Sequence, residues 1–371
     1  MYCKRKGAVC LKNSLKLSGV YIGTILGAGF ASGKEILVFF GQFGVKGIYG
    51  LFLAGILFFL LGWLIMNKIY VKQIDTFDEY FNNLSGKLTI KIFRYIMIFF
   101  LFFVMSAMFA GCGALLEESF GLHKYIGIIF MAAVTFIVMV YGARGIVIFN
   151  GIVTPFMVIS LILFSIYSIF WDTRGAFFQL GFQGNLNWVL YALIYVSYNT
   201  ITITMLFVSL RKYVDNQKTA FRAGLISGGV LLAIMFVLWC VLMLYRAGSS
   251  AFAIPLLYVV MNKGNFVFII YCITLCCAML TTSVSNGFSL LSGINRIGKL
   301  PSFLLCAAGS VIAGVGFSVI VEKFYTLFGF LGLFILCITI FDGLGCIGNS
   351  KNKKSQQKQR KIKYCRYNLE K

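Results

Sequence analysis

From Gly23 to Ile36 the chain reads Gly-Thr-Ile-Leu-Gly-Ala-Gly-Phe-Ala-Ser-Gly-Lys-Glu-Ile, a composition at odds with the apolar residues on either side. Gly23, Gly27, Gly29 and Gly33 each weaken a helix by about 1 kcal/mol relative to Ala. Lys34 and Glu35 follow at once, and a charge near the middle of a bilayer costs about 3 kcal/mol on insertion scales. A helix that unwinds around Gly27–Ser32 gives this combination a chemical use. Unwinding exposes carbonyls and amides, which are tolerated at membrane depth only where they face protein or a water-filled cavity. The amides of Gly27, Ala28, Gly29, Phe30, Ala31, Ser32 and Gly33 then open a second half-helix and suit a carboxylate. The carbonyls that end the first half, from Gly23 to Leu26, suit a cation or an ammonium group. Glu35 could hold a proton or an ammonium, or pair with Lys34. The competing reading is close packing of helices through small residues, which leaves Lys34 and Glu35 unexplained.

Lipid is the solvent that makes such a segment intelligible. Of 371 residues, 60% are hydrophobic and 12% charged, against about 25% charged in soluble domains. Mean hydropathy is +0.90. Apolar runs between charged or turn-rich breaks predict an all-α membrane protein of ten spans, at roughly 17–42, 46–66, 91–115, 124–141, 145–170, 186–209, 223–245, 265–292, 302–320 and 324–346. Each approaches the roughly 20 residues that cross the hydrocarbon. The apolar piece Ala251–Met261 is too short to span and contains Pro255, so it is expected as a surface or re-entrant helix outside the membrane.

Lys and Arg divide unequally between alternate ends of these spans. One side takes Lys4, Arg5, Lys6, Lys12 and Lys16, then Lys68, Lys72, Lys87, Lys91, Arg94, Arg144, Arg211, Lys212, Lys218, Arg222, Arg296, Lys299 and the tail after Ser350. The other holds Lys46, Lys124, Arg174, Arg246, Lys263 and Lys323. By the positive-inside rule both termini are cytoplasmic in a multi-pass cell-membrane protein. The net charge of +22 therefore needs no nucleic-acid partner, and the basic tails suit anionic lipid. The expected organisation is a basic tail (1–16), five helices (17–170), an extracytoplasmic loop (171–185), five more helices (186–346) and a second basic tail (347–371).

The sixth span carries Ser197-Tyr198-Asn199-Thr200-Ile201-Thr202 inside an apolar run, five spans after the first interruption. Two blocks of five, an odd number, would be related by inversion across the membrane. Interruptions at matching places in two such halves point to a midplane binding site, to which Tyr198 and Asn199 would contribute. The same run could equally serve hydrogen bonds between helices. Ser106, Gly111, Cys112 and Gly113 in the third span fit either substrate approach or tight packing. Asp342 is expected at the inner interface without a partner.

The segment Gly27–Ile36, with Phe39-Phe40 and Phe43-Gly44, resembles the opening of the YkvI-type permeases, grouped with the amino acid–polyamine–organocation transporters; Lys34 stands where that pattern has Gln. The resemblance implies a five-plus-five inverted repeat of the LeuT type with interrupted first and sixth helices. It also implies a cation site between the unwound first helix, at Gly23 and Leu26, and the eighth, where Met279 offers a carbonyl and Thr282 and Ser283 offer hydroxyls. Some proton-coupled relatives place a Lys in the fifth span, and Ile146–Phe170 has none. These hydroxyls could instead cap freed carbonyls.

The expected function is secondary active transport of an amino acid or similar small zwitterion, coupled to sodium or protons, by alternating access. The alternative is a membrane sensor that binds a solute without moving it. No set of nucleophile, base or metal ligands suggests an enzyme: His123 is the single histidine and the 11 cysteines lack a CxxC pair. No cofactor is expected beyond the coupling ion.

Overall fold

A computed structural model describes residues 2–81, 87–170, 187–249, 252, 254–261, 263–343 and 345. The expected loop at 171–185 and the tail at 347–371 lie outside the described residues. The described part is helical. In chain order the α-helices are α1 Tyr2–Ile25, α2 Ala28–Ala31, α3 Lys34–Phe39, α4 Val45–Lys72, α5 Phe77–Tyr80, α6 Lys87–Phe120 and α7 Lys124–Val140. There follow α8 Gly142–Phe170, α9 Trp188–Ser209, α10 Gln217–Leu244, α11 Arg246–Ser249, α12 Pro255–Met261, α13 Asn265–Gly293 and α14 Lys299–Ala313. A last helix, Phe317–Gly343, carries a π-helical stretch at Ile320–Tyr325.

Among the described residues seven helices are long and apolar enough to cross a bilayer: α4, α6, α8, α9, α10, α13 and the last. The shorter apolar helices α7 and α14 fall in the fourth and ninth expected segments. The first expected segment is not one helix. It stops at Ile25, resumes for one turn at Ala28, stops again at Ser32 and resumes at Lys34.

α4 packs along α10, and α6 along α13, pairing the second and third helices of one block of five with their counterparts in the other. α4 and α10 approach closely because α10 presents glycine at two positions four residues apart. A Cβ on Gly224 would lie 2.9 Å from the Trp63 amide nitrogen, and one on Gly228 would lie 2.7 Å from that of Phe59. Small residues at this spacing let two backbones meet. α1 lies between α8 and α10 and also touches α13.

Both ends of the bundle are sealed. At one end the α5 turn is held by a capping box between Thr76 and Glu79, and it buries Phe77, Tyr80 and Phe81. Arg94 pairs with Asp78 at 2.7 Å, and Arg211 pairs with Asp75. Lys68, 1% exposed, donates to Asp342 at 2.8 Å and to the Tyr80 carbonyl at 2.8 Å. Asp342 thus has a partner, contrary to expectation: α4 brings a lysine beside it. At the other end α12 is not a surface helix. Leu256, Leu257, Val259 and Val260 are buried, and the Leu256 amide donates to the Ser32 carbonyl at 3.0 Å.

Candidate functional site

The break in the first span leaves backbone groups in the bundle interior, and its neighbours satisfy most of them. The Thr281 hydroxyl of α13 donates to the Gly23 carbonyl at 2.7 Å. The Thr282 hydroxyl reaches the Gly23 and Thr24 carbonyls at 3.1 and 3.0 Å. Two α13 hydroxyls therefore close the end of α1, where helix geometry leaves carbonyls without intrahelical donors. The Leu26 carbonyl receives no bond from the described residues. Beyond the break, the Ala28 amide meets Met108 Sδ of α6 at 3.2 Å, and the amides of Gly29 and Phe30 donate to no described acceptor. Gly33 turns the chain with φ 81°, a left-handed conformation that glycine adopts without strain.

Sequence reasoning missed three contributors to this junction. Thr281 makes the shortest bond to Gly23. Thr154 of α8 donates to the Gly19 carbonyl at 2.9 Å. The Asn150 side-chain oxygen, also on α8, is buried without a donor, close enough to Gly23 that a Cβ there would strike both it and the Thr154 hydroxyl. Asn150 and Thr154, four residues apart on one helix face, were the available signal. Ser283 does not reach the first helix. Its hydroxyl meets Thr135 of α7 at 2.8 Å and the Leu280 carbonyl at 3.0 Å, because successive residues on a helix point about 100° apart. Met279 is fully buried near Gly111 of α6.

Glu35 folds back from α3 over Gly29: any side-chain carbon at position 29 would collide with the carboxyl group. The carboxyl so placed is 5% exposed as a residue and faces the hydroxyls of Tyr195 and Tyr198 on α9. Tyr325 of the last helix stands close by. Among the described residues Glu35 makes no ion pair, with Lys34 or any other base. The Tyr195 and Tyr198 hydroxyls have no formed hydrogen bond. A cavity of ≈ 20 Å³ lies here, bounded by Thr24, Gly27, Glu35, Tyr198, Asn199, Thr202, Thr282, Asn286 and Tyr325 with Phe100, Val104 and Met108 of α6. That is room for about one water. The structure thus brings Gly27, Glu35, Tyr198, Asn199 and Thr282 to one space. Ala28, Phe30, Ala31 and Ser32 are buried but do not line it.

The sixth span is not interrupted, and this corrects the expectation for it. α9 runs unbroken from Trp188 to Ser209. It contains neither Gly nor Pro, and Ser197, Asn199 and Thr200 bond back along the same helix, Ser197 also reaching the Gly329 carbonyl of the last helix. Ser197 donates to Ile194, Asn199 to Tyr195 and Thr200 to Val196, at 2.8, 2.9 and 2.8 Å. Self-satisfied polar groups remove the need to unwind. In the third span the small residues serve packing: Gly111 fits against Ala28, and Gly113 against the Lys124 carbonyl of α7.

A broken first span, cradled by unbroken helices around a buried polar space, defines a class of multi-pass membrane protein. Solved transporters share the fold. MhsT in complex with L-phenylalanine superposes with a TM-score of 0.65 at 15% identity, over 88% of each chain. A Na+-coupled sialic acid symporter, in a substrate-bound outward-open state, gives 0.60 at 13% identity, over 88% of this chain and 79% of the other. This is the LeuT-type architecture that the first span implies. No protein-family model matches the chain. It is, however, 30% identical over 325 residues to the uncharacterized membrane protein YkvI of Bacillus subtilis (strain 168), covering 86% of this chain and 92% of the relative. The chain belongs to the YkvI family.

Proposed function

We propose that this protein is a secondary active transporter of an amino acid or a similar small zwitterion, working by alternating access and coupled to sodium or protons. The observation that carries the proposal is the break at Leu26–Gly27. It gives a membrane-embedded helix with open backbone, beside a buried carboxyl group, in a space enclosed by α1, α6, α9 and α13. A purely structural protein has no use for that expense. MhsT and the sialic acid symporter, which bind small solutes on the same fold, support the reading.

In this proposal the substrate carboxylate meets the open amides of Gly29 and Phe30, and Tyr198 and Asn199 line the far side. A sodium ion, if it is the coupling ion, would be held by the Gly23, Thr24 and Leu26 carbonyls with the Thr281 and Thr282 hydroxyls. Hard oxygen donors of this kind suit small hard cations. Both hydroxyls would turn their lone pairs toward the ion and give up their bonds to the carbonyls. The face carrying α5 is cytoplasmic, as are both termini, and the basic tails rest on anionic lipid.

A thermal-shift screen of amino acids and related solutes, with and without sodium, followed by uptake into proteoliposomes, tests the proposal. Stabilisation by a solute that is also accumulated is the expected result. Binding without flux would favour the sensor alternative.

A further inference from the structure

Glu35 poses a charge problem that the closed structure states clearly. The carboxyl is in the sealed interior, 5% exposed, and makes no ion pair among the described residues. The groups that face it from the packed elements are the phenols Tyr195 and Tyr198 of α9 and Tyr325 of the last helix. α10, packed on α3, offers Leu242 and Met243 beside Gly33 and Gly41. A buried ionised carboxylate needs a partner cation or a proton, and phenols supply neither a full positive charge nor a second carboxylate to share a proton.

The rings around it suit a cation. Phe39, Tyr195 and Tyr198 form a connected box with ring centroids 5.3 to 5.8 Å apart. Tyr325 closes on Tyr198 at 5.1 Å, and Phe100 on Tyr325 at 6.1 Å. Aromatic faces together with a carboxylate recognise an organic ammonium. The cavity that Tyr198, Tyr325 and Phe100 of these rings line together with Glu35 is ≈ 20 Å³, too small for an organic ammonium to be the neutralising partner of the empty form. A proton needs no such room.

We propose, resting on the transporter reading above, that Glu35 carries a proton and a substrate ammonium in alternation, which makes the protein an exchanger of protons for organic amines. In the empty closed form Glu35 is a carboxylic acid. When the site opens, the O–H bond breaks, the proton leaves to water, and the carboxylate receives the substrate's ammonium. On release the carboxylate takes a proton from the opposite side and the empty site closes. One proton moves against each amine, with no other co-reactant.

The test uses the full-length protein in detergent with a weak buffer and a pH-indicating dye. The probes are the twenty protein amino acids, putrescine and tyramine, each compared with its deaminated analogue, with uracil and gluconate as amine-free solutes. Proteoliposome flux is measured for the same set. The expected result is release of about one proton per bound amine. Amine flux should be driven by an opposing pH gradient and reduced about tenfold or more in Glu35→Gln, the loss expected for a charge-assisted contact. Glu35→Asp, which keeps the carboxyl, should retain proton release and so shows that loss in Glu35→Gln is not misfolding. Proton uptake on binding, no proton change, or equal flux in Glu35→Gln would overturn the proposal and leave the transporter reading standing. So would flux confined to uracil or gluconate. Absence of flux for every solute would overturn both.

Discussion

Two residues at the break, Thr282 and Gly29, can each be tested alone. Among the described residues Thr282 is the one side chain that reaches two of the carbonyls left at the end of α1. Thr282→Val keeps the shape and removes the donor, leaving Thr281 to hold Gly23. The expected loss is about 1–3 kcal/mol of stability for the stranded carbonyl, read by chemical unfolding in mixed micelles, together with loss of any sodium-dependent thermal shift. An unchanged sodium response would detach Thr282 from ion coupling. Gly29→Ala places a carbon where the Glu35 carboxyl sits. It should abolish solute-induced stabilisation while the helical circular dichroism is preserved; wild-type solute responses would show that the carboxyl need not fold back. At this scale the sequence was partly legible. Glycine density and an adjacent charge pair marked the break and Glu35, because nothing else explains their cost in lipid. Which of three adjacent hydroxyls faces α1 was not legible, since the answer depends on how α13 is rotated by its neighbours. Ser283 turned to Thr135, and Thr281 took the place expected for it.

Elements differ in how they cope with polar residues at membrane depth. The first span unwinds, because glycine makes unwinding cheap and the threonines of α13 receive the freed carbonyls. α9 carries polar groups too and stays helical, because Asn199 and Thr200 spend their donors on their own helix and Ser197 shares its donor between Ile194 and Gly329 of the last helix. A run of Ser, Asn and Thr reads the same in either case, so the sequence could not separate them; the missing Gly and Pro were the usable sign. Gly33 is required by its φ of 81°, and Gly33→Ala should cost about 1–3 kcal/mol for a strained backbone. Between elements, Gly228→Leu drives a side chain into the Phe59 backbone. The expected destabilisation is about 1–3 kcal/mol, as for overpacking, with a lowered thermal midpoint in detergent. A midpoint within error of wild type would mean that α4 and α10 part without cost.

At the scale of the whole molecule, closure is shared between two ends with different chemistry. The α12 end is closed by apolar side chains and one backbone bond to Ser32. The α5 end is closed by charge. Arg94–Asp78 is half in water, with side chains 22% and 53% exposed, and such pairs contribute at most about 1 kcal/mol. Breaking it should therefore alter accessibility more than stability. A pocket of ≈ 120 Å³ beneath it is lined by Asp78, Arg94, Ser209 and Ser289, with Ser289 about one turn beyond Asn286 and Ser209 about two turns beyond Thr202 at the central cavity. Ser289→Cys should react faster with a thiol reagent when combined with Arg94→Gln, at nearly unchanged thermal stability. Equal labelling rates would show that this pair is no gate. Lys68 and Asp342 are another matter. Lys68 is 1% exposed against 20% for Asp342, so Asp342→Leu, which leaves the buried ammonium, should lower the thermal midpoint in detergent more than Lys68→Met, which leaves the more exposed carboxylate. The all-helical membrane architecture was legible from hydropathy, which reports length and polarity, and seven of the helices are long and apolar enough to span among the described residues. The seals were not, because they join residues far apart in sequence, such as Lys68 with Asp342 and Ser32 with Leu256.

Solute movement is the central claim, and proteoliposome uptake tests it most directly. Full-length protein is reconstituted, an inward sodium gradient or a pH gradient of either sign is imposed, and labelled amino acids and amines are followed over time. Accumulation of at least one solute above its external concentration, collapsing when the gradient is removed and absent in Gly29→Ala, is the expected result. Passive equilibration at the rate of protein-free vesicles, under every gradient and for every solute, would contradict the account.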